Sequence, residues 1–207
     1  MVIIGDILSG MKTYISLLRG VNVSGKNRIS MPDLKRLYES LGLVDVVTYI
    51  QSGNVVFDTG EIDQTKIIKL IEEGLTRSLG GDVRVILRDR ISLIRIIDNN
   101  PFIIKRKEDP ERLYVTCLSG LPVEAALKNI TAAGDGGGSN PRLNNTWAIA
   151  SDQDEFIIHG KEVYLFCPNG YGKTKFSNTF FEKKLNITAT TRNWKTVNSL
   201  YEIAERR

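Results

Sequence analysis

Twice along this chain the apolar pattern runs strand, helix, strand, strand, helix, strand, an order that few architectures accept. The first round opens with a strand at residues 13–19. Pro32 suits the first turn of a helix, Leu34, Leu37, Tyr38 and Leu41 give it an apolar stripe, and Gly42 closes it. Short strands at 46–50 and 54–58 flank Gln51-Ser52-Gly53. A helix at 63–79 carries Ile67, Ile68, Ile71, Leu75 and Leu79 on one side and stops at Gly80-Gly81, and a strand at 83–88 ends the round. After a short helix near 91–98 the order repeats: a strand at 112–118, a helix from Pro122 to about residue 130, and a glycine-rich loop at 134–141. A strand at 147–150 precedes a hairpin of 155–158 and 162–167 around His159-Gly160. A helix at 174–185, a short strand at 187–190 and a last helix at 192–206 follow.

This order predicts an α+β protein of two ferredoxin-like βαββαβ halves, an internal duplication, with an extra C-terminal helix. The halves share no visible identity, so the duplication rests on element order. Residues 1–10 read as an N-terminal extension, because Met11 opens the first convincing strand. Residues 11–90 form the first half, and 91–207 the second half with the C-terminal helix.

The 207 residues supply enough chain for a sizeable core. No apolar run reaches the roughly 18 residues that a membrane span needs, and no membrane role is expected. The start lacks a basic region ahead of its apolar stretch, so it makes a poor signal peptide. Cys117 and Cys167 lack CxxC spacing and sit in apolar runs, as reduced thiols of a cytoplasmic protein do. The net charge of +4 is uneven. Residues 11–30 carry Lys12, Arg19, Lys26 and Arg28 with no acid, and residues 160–207 carry nine basic and four acidic side chains. Such segments suit an anionic partner if they meet, and a scattered solvated surface if they do not.

Several chemistries drop out. His159 is the only histidine and sits at a hairpin turn, which excludes multi-histidine zinc sites and histidine triads. Asp152, Asp154 and Glu155 read as a solvated strand entry, so no metal and no cofactor is implied. Gly170-Tyr171-Gly172-Lys173-Thr174 ends like a P-loop, but Cys167 stands where the pattern needs its first glycine. A weaker reading survives, in which Lys173 and amides at a helix start meet an anion. An RNA-recognition strand would show several aromatics, and 52–58 offers Phe57 alone.

Three polar stretches remain: Arg19 to Asn27, Tyr49 to Asn54, and Thr190 to Trp194. Each mixes Arg, Asn, Gln or Thr with glycine or a helix start. Such groups give directional hydrogen bonds to a polar ligand, or else cap turns, with Thr191 a candidate N-cap for the last helix. The segments Tyr14 to Asn27, Thr48 to Phe57 and Thr190 to Val197 strongly resemble the DUF1697 family, a domain of unknown function found mostly in bacteria. The resemblance runs from Met11 to the C-terminus. It implies an α+β protein with two ferredoxin-like halves. Ser24 stands where the family usually has glycine. The resemblance brings no established activity and no catalytic residues.

Three functions stay open. The first is binding of a phosphate-bearing ligand, a nucleotide or a nucleic acid. Arg19, Lys26, Arg192 and Lys173 would meet the anion; Asn22, Gln51, Asn54 and Asn193 would hydrogen-bond; Asn27 and Ser52 complete the candidate set. The second is an enzyme on a small polar substrate, with Lys26, Tyr49 or Ser52 as proton-transfer or nucleophilic group. The third is a structural or protein-interaction role. The sequence carries no signal for oligomeric state.

Overall fold

In the computed structural model, residues 10–23, 27–132, 140–141, 146–151 and 153–207 are described. The proposed extension at 1–10 and the glycine-rich loop therefore lie almost wholly outside the described residues. The chain divides into two units: one runs to Leu93 and takes in Leu200–Arg207, and the other spans Ile94–Ser199.

The first unit holds β1 (Lys12–Arg19), α1 (Met31–Ser40), β2 (Val44–Tyr49), β3 (Asn54–Thr59), α2 (Gln64–Leu79) and β4 (Arg84–Asp89). The sheet order is β2-β3-β1-β4, all antiparallel. This is the ferredoxin-like arrangement expected from element order. β1 is central, and Tyr14 to Leu18 are buried on both of its faces. On one face Tyr14, Leu18, Val55, Phe57 and Leu87 meet Leu34 and Tyr38 of α1 and Ile67, Ile71 and Leu75 of α2. Those helical residues follow the spacing that the sequence shows. The Tyr38 hydroxyl is fully buried and pairs with Ser16 Oγ at 2.8 Å. The helices begin where their caps allow. Ser30 accepts from the Asp33 N–H, and Asp63 accepts from the Thr65 N–H. α2 ends at Gly80, whose left-handed backbone returns its N–H to Thr76. At the C-terminal end of the chain, Arg207 ion-pairs with Asp58 at 3.3 Å and donates to the Asp45 carbonyl.

The second unit holds β5 (Leu113–Leu118), α5 (Glu124–Ala132), β6 (Asn140–Pro141), β7 (Thr146–Ser151), β8 (Asp154–His159), β9 (Glu162–Phe166), α6 (Asn178–Leu185) and β10 (Ala189–Asn193). Two helices, α3 (Arg90–Asp98) and α4 (Pro101–Ile104), precede it, and α7 (Trp194–Glu205) follows. The sheet has six strands in the order β10-β5-β9-β8-β7-β6. Its first four repeat β4-β1-β3-β2, and β7 with β6 extends the β8 edge. The duplication reaches the register. Tyr14 and Ile15 face Asp89 and Arg88, just as Tyr114 and Val115 face Asn193 and Arg192. Each half then enters a helix capped by the same position: Asp89 accepts from the Ser92 N–H and Asn193 from the Thr196 N–H. The core under this sheet is aromatic, with Phe156 edge-on to Phe176 and Phe181 at 4.7 and 5.2 Å.

Several boundaries differ from the sequence reading. α6 starts at Asn178 rather than near 174, because Phe176 is drawn into the core from a non-helical segment and Ser177 supplies the cap. β10 continues to Asn193, so the last helix begins at Trp194 rather than Arg192.

Cys117 and Cys167 are buried free thiols. Burial, then the charge of Asp154, pushes the Cys167 thiol up to about 11. Both thiols will therefore resist an aromatic disulfide reagent at pH 8 in the native chain and react once urea unfolds it; fast native labelling would contradict this burial.

Candidate functional site

The first polar stretch leaves the end of β1 and must reverse direction within a few residues. Gly20, Asn22 and Asn27 do this with left-handed backbones. Asn22 then closes the loop. Its Oδ1 accepts from the Ile29 N–H at 2.9 Å, and its Nδ2 donates to the Ile29 carbonyl at 2.9 Å and to the Gln51 carbonyl at 3.0 Å. Both amide hydrogens are thereby occupied. Asn27 Nδ2 donates to the Gly20 carbonyl at 3.3 Å. Lys26 lies outside the described residues.

The second stretch is the tip between β2 and β3. Asn54 is fully buried beneath it, and its Nδ2 donates to the Tyr49 carbonyl and to Ser52 Oγ, both at 3.0 Å. The Leu18 N–H donates to the Gly53 carbonyl at 2.8 Å. The first two stretches thus meet through the Asn22–Gln51 bond.

Beside that bond lies a cleft of about 590 Å³. Its walls include Asn22, Arg28, Ser30, Asp33, Gln51 and Ser78. Asp33 is the one acid among its lining residues, and it is occupied. Ser30 donates to its carboxylate and Arg36 ion-pairs with it, which together hold the carboxyl below its usual range. Arg28 is exposed and, among the described residues, has neither a hydrogen bond nor an ion pair. Among the described residues the cleft therefore carries a guanidinium whose charge is unanswered, with neutral hydroxyls and the Gln51 amide around it. The sequence reading counted Arg28 in the charge of its segment but left it out of the site, and it passed over Ser30 and Ser78. The Ser30–Asp33 capping spacing could have pointed to a helix start here.

The remaining candidates stand elsewhere. Arg19 ends β1, half-buried, opposite Arg84. Lys173 is exposed in a 3-10 turn, Tyr171–Lys173, four residues ahead of Ser177. The helix-start reading of Gly-Lys-Thr is thus corrected, since Ser177 and not this turn begins α6. Arg192 is buried, and its guanidinium donates to Thr190 Oγ1 at 2.8 Å and to the Thr191 carbonyl at 2.9 Å. Arg88, at the equivalent register, donates to the Leu87 carbonyl in the same way. Asn193 caps α7, which corrects the expectation that Thr191 does so.

Thr191 instead lies in β10 and centres a hydroxyl chain. Tyr171 OH donates to its Oγ1 at 3.0 Å, and Oγ1 donates to Asn178 Oδ1 at 2.6 Å. Thr116 Oγ1 lies 2.6 Å away and must be a donor, because the one Thr191 hydrogen is already used. Thr191→Val will strand these partners and lower the unfolding free energy by about 2 kcal/mol. A urea midpoint equal to that of the native chain would show that the chain contributes nothing.

Among the described residues no group of three or more His, Cys, Asp or Glu side chains could hold a metal ion. Among the same residues no helix is long and apolar enough to cross a membrane. A family model described as a protein of unknown function, DUF1697, matches residues 11–164. No curated protein matches the chain. Among solved structures, the conserved bacterial protein SP0830 from Streptococcus pneumoniae is similar at 22% identity with a TM-score of 0.66. That match covers 94% of this chain and 99% of the other, and it speaks to the fold alone.

Proposed function

Since the chain belongs to the DUF1697 family of proteins of unknown function, we propose a function from geometry: the first half binds a small phosphate-bearing molecule in the Arg28 cleft. The unanswered Arg28 guanidinium carries this reading. A planar fork of N–H donors matches two phosphate oxygens, and such charge-assisted pairs are stronger than neutral ones. Ser78 and the Gln51 amide line the same cleft and add neutral donors, while the one Ser30 hydrogen stays on Asp33. A volume of about 590 Å³ falls within the range of small-molecule sites. A nucleic acid asks instead for a row of cations, about one per contacted phosphate. The cleft offers Arg28 as its one unanswered cation among the described residues, which favours a small ligand over a polymer.

Calorimetric titration at low salt with inorganic pyrophosphate and with the common nucleoside diphosphates tests the proposal. Saturable binding that weakens with added salt supports it. Lack of binding by every probe, or tighter binding of long oligonucleotides than of any diphosphate, sinks it.

A further inference from the structure

The hairpin tip carries an isoleucine that neither its backbone nor its burial explains. Ile50 has φ +49 and leaves 47% of its surface exposed. A β-branched residue in the left-handed region is an outlier, because its Cβ crowds the neighbouring carbonyl. Among the described residues, the other left-handed positions without glycine are Asn22, Asn27, Asp45, Lys107, Gln153 and Asn186. None of them is β-branched, and three are asparagines. Glycine or asparagine at position 50 would relieve the backbone and take an apolar side chain out of water.

The strain is held in place by its surroundings. Asn54 pins the carbonyl of Tyr49, Asn22 pins that of Gln51, and the Leu18 N–H pins that of Gly53. Three bonds thus hold the backbone of the tip on either side of Ile50, so its left-handed conformation persists and the side chain stays exposed. Val23 adds a second exposed aliphatic side chain, at 56%. Val23 follows Asn22 in sequence and Ile50 precedes Gln51, so an aliphatic residue adjoins each partner of the bond beside the cleft.

We propose that Ile50 is the apolar contact for the ring portion of the ligand, which makes the ligand a nucleotide: phosphate at Arg28, and a base against Ile50 with Val23 as the second aliphatic contact. This rests on the phosphate reading of the cleft and adds specificity to it. A flat ring laid on an exposed aliphatic side chain buries area on both without asking the tip to move.

Ile50→Gly separates the possibilities, measured with inorganic pyrophosphate, the four common nucleoside diphosphates and the thermal midpoint. In the native chain at least one nucleoside diphosphate binds more tightly than pyrophosphate. In Ile50→Gly that preference falls by about tenfold, the order expected for losing one partly buried aliphatic contact. Pyrophosphate affinity stays within about twofold, and the midpoint does not fall, since glycine accepts the same φ. If the midpoint drops by several degrees, the side chain serves the fold and the proposal is overturned. If diphosphates and pyrophosphate bind alike and Ile50→Gly changes neither, the base contact is overturned while the phosphate site stands. If no probe binds the native chain, both readings fall together.

Discussion

Gly53→Ala will lose about 3 kcal/mol of unfolding free energy, the largest effect of a single methyl group in the first unit. Two costs add. Gly53 has φ +69, where an L-residue pays about 1–2 kcal/mol. A Cβ built there would lie 2.8 Å from Leu18 Cβ, a contact that forces a shift costing about 1–3 kcal/mol. Relief by movement is blocked from both sides. Leu18 is 1% exposed within the core of β1, and its own N–H holds the Gly53 carbonyl. Gly20→Ala is the control. Its φ is +78 but nothing lies within 4 Å of the added atom, so it will pay only the backbone share, about 1 kcal/mol. Equal urea midpoints for the two variants would refute the Leu18 contact.

Arg28→Gln will weaken binding of a nucleoside diphosphate by about 10- to 100-fold while leaving the thermal midpoint unchanged. Hydrogen bonds to charged groups contribute about 1.5–3 kcal/mol, which sets that range. The stability expectation follows from the exposure of Arg28 and its lack of a described partner, because such surface changes usually fall within about 0.5 kcal/mol. Arg36→Gln is the informative comparison. It removes the cation paired with Asp33, so a carboxylate in the cleft wall loses its counter-charge. Affinity will fall modestly, and the loss will shrink as salt screens the exposed charges. An Arg28→Gln chain that binds as the native one does would move the anion contact elsewhere.

The alternating order of strands and helices was legible because burial writes its period into the sequence. Leu34 with Tyr38, and Ile67, Ile71 and Leu75, pack where their spacing places them. The two added strands of the second sheet were harder, since a lone strand at 147–150 does not say which edge it joins. The start of α6 was misread because Phe176 looks like part of a helical stripe, yet it enters the core from the segment before the Ser177 cap. Two of the polar segments singled out in the sequence meet beside the cleft, where Asn22 and Gln51 line it, but most of the other candidates stand elsewhere. Asn22 and Asn54 carry the donors that a polar ligand would use, and here both amide hydrogens of each go to the chain's own loops. An asparagine that braces a turn and one that reads a ligand have the same letter. Arg28 sits in no recognisable motif. Its meaning comes from the lack of a partner among the described residues, which no sequence pattern signals. Ile50 is the converse case, an ordinary strand-end residue until its φ is known.

Nitrogen-resolved NMR of the labelled native chain, titrated with inorganic pyrophosphate at low salt, tests the Arg28 cleft most directly. Saturable shifts at the Arg28 Nε–H and the Gln51 side-chain amide, with Lys173 and Arg192 unmoved, are the predicted result. Shifts confined to the second unit, or none at all at saturating pyrophosphate, would contradict a phosphate site in the first.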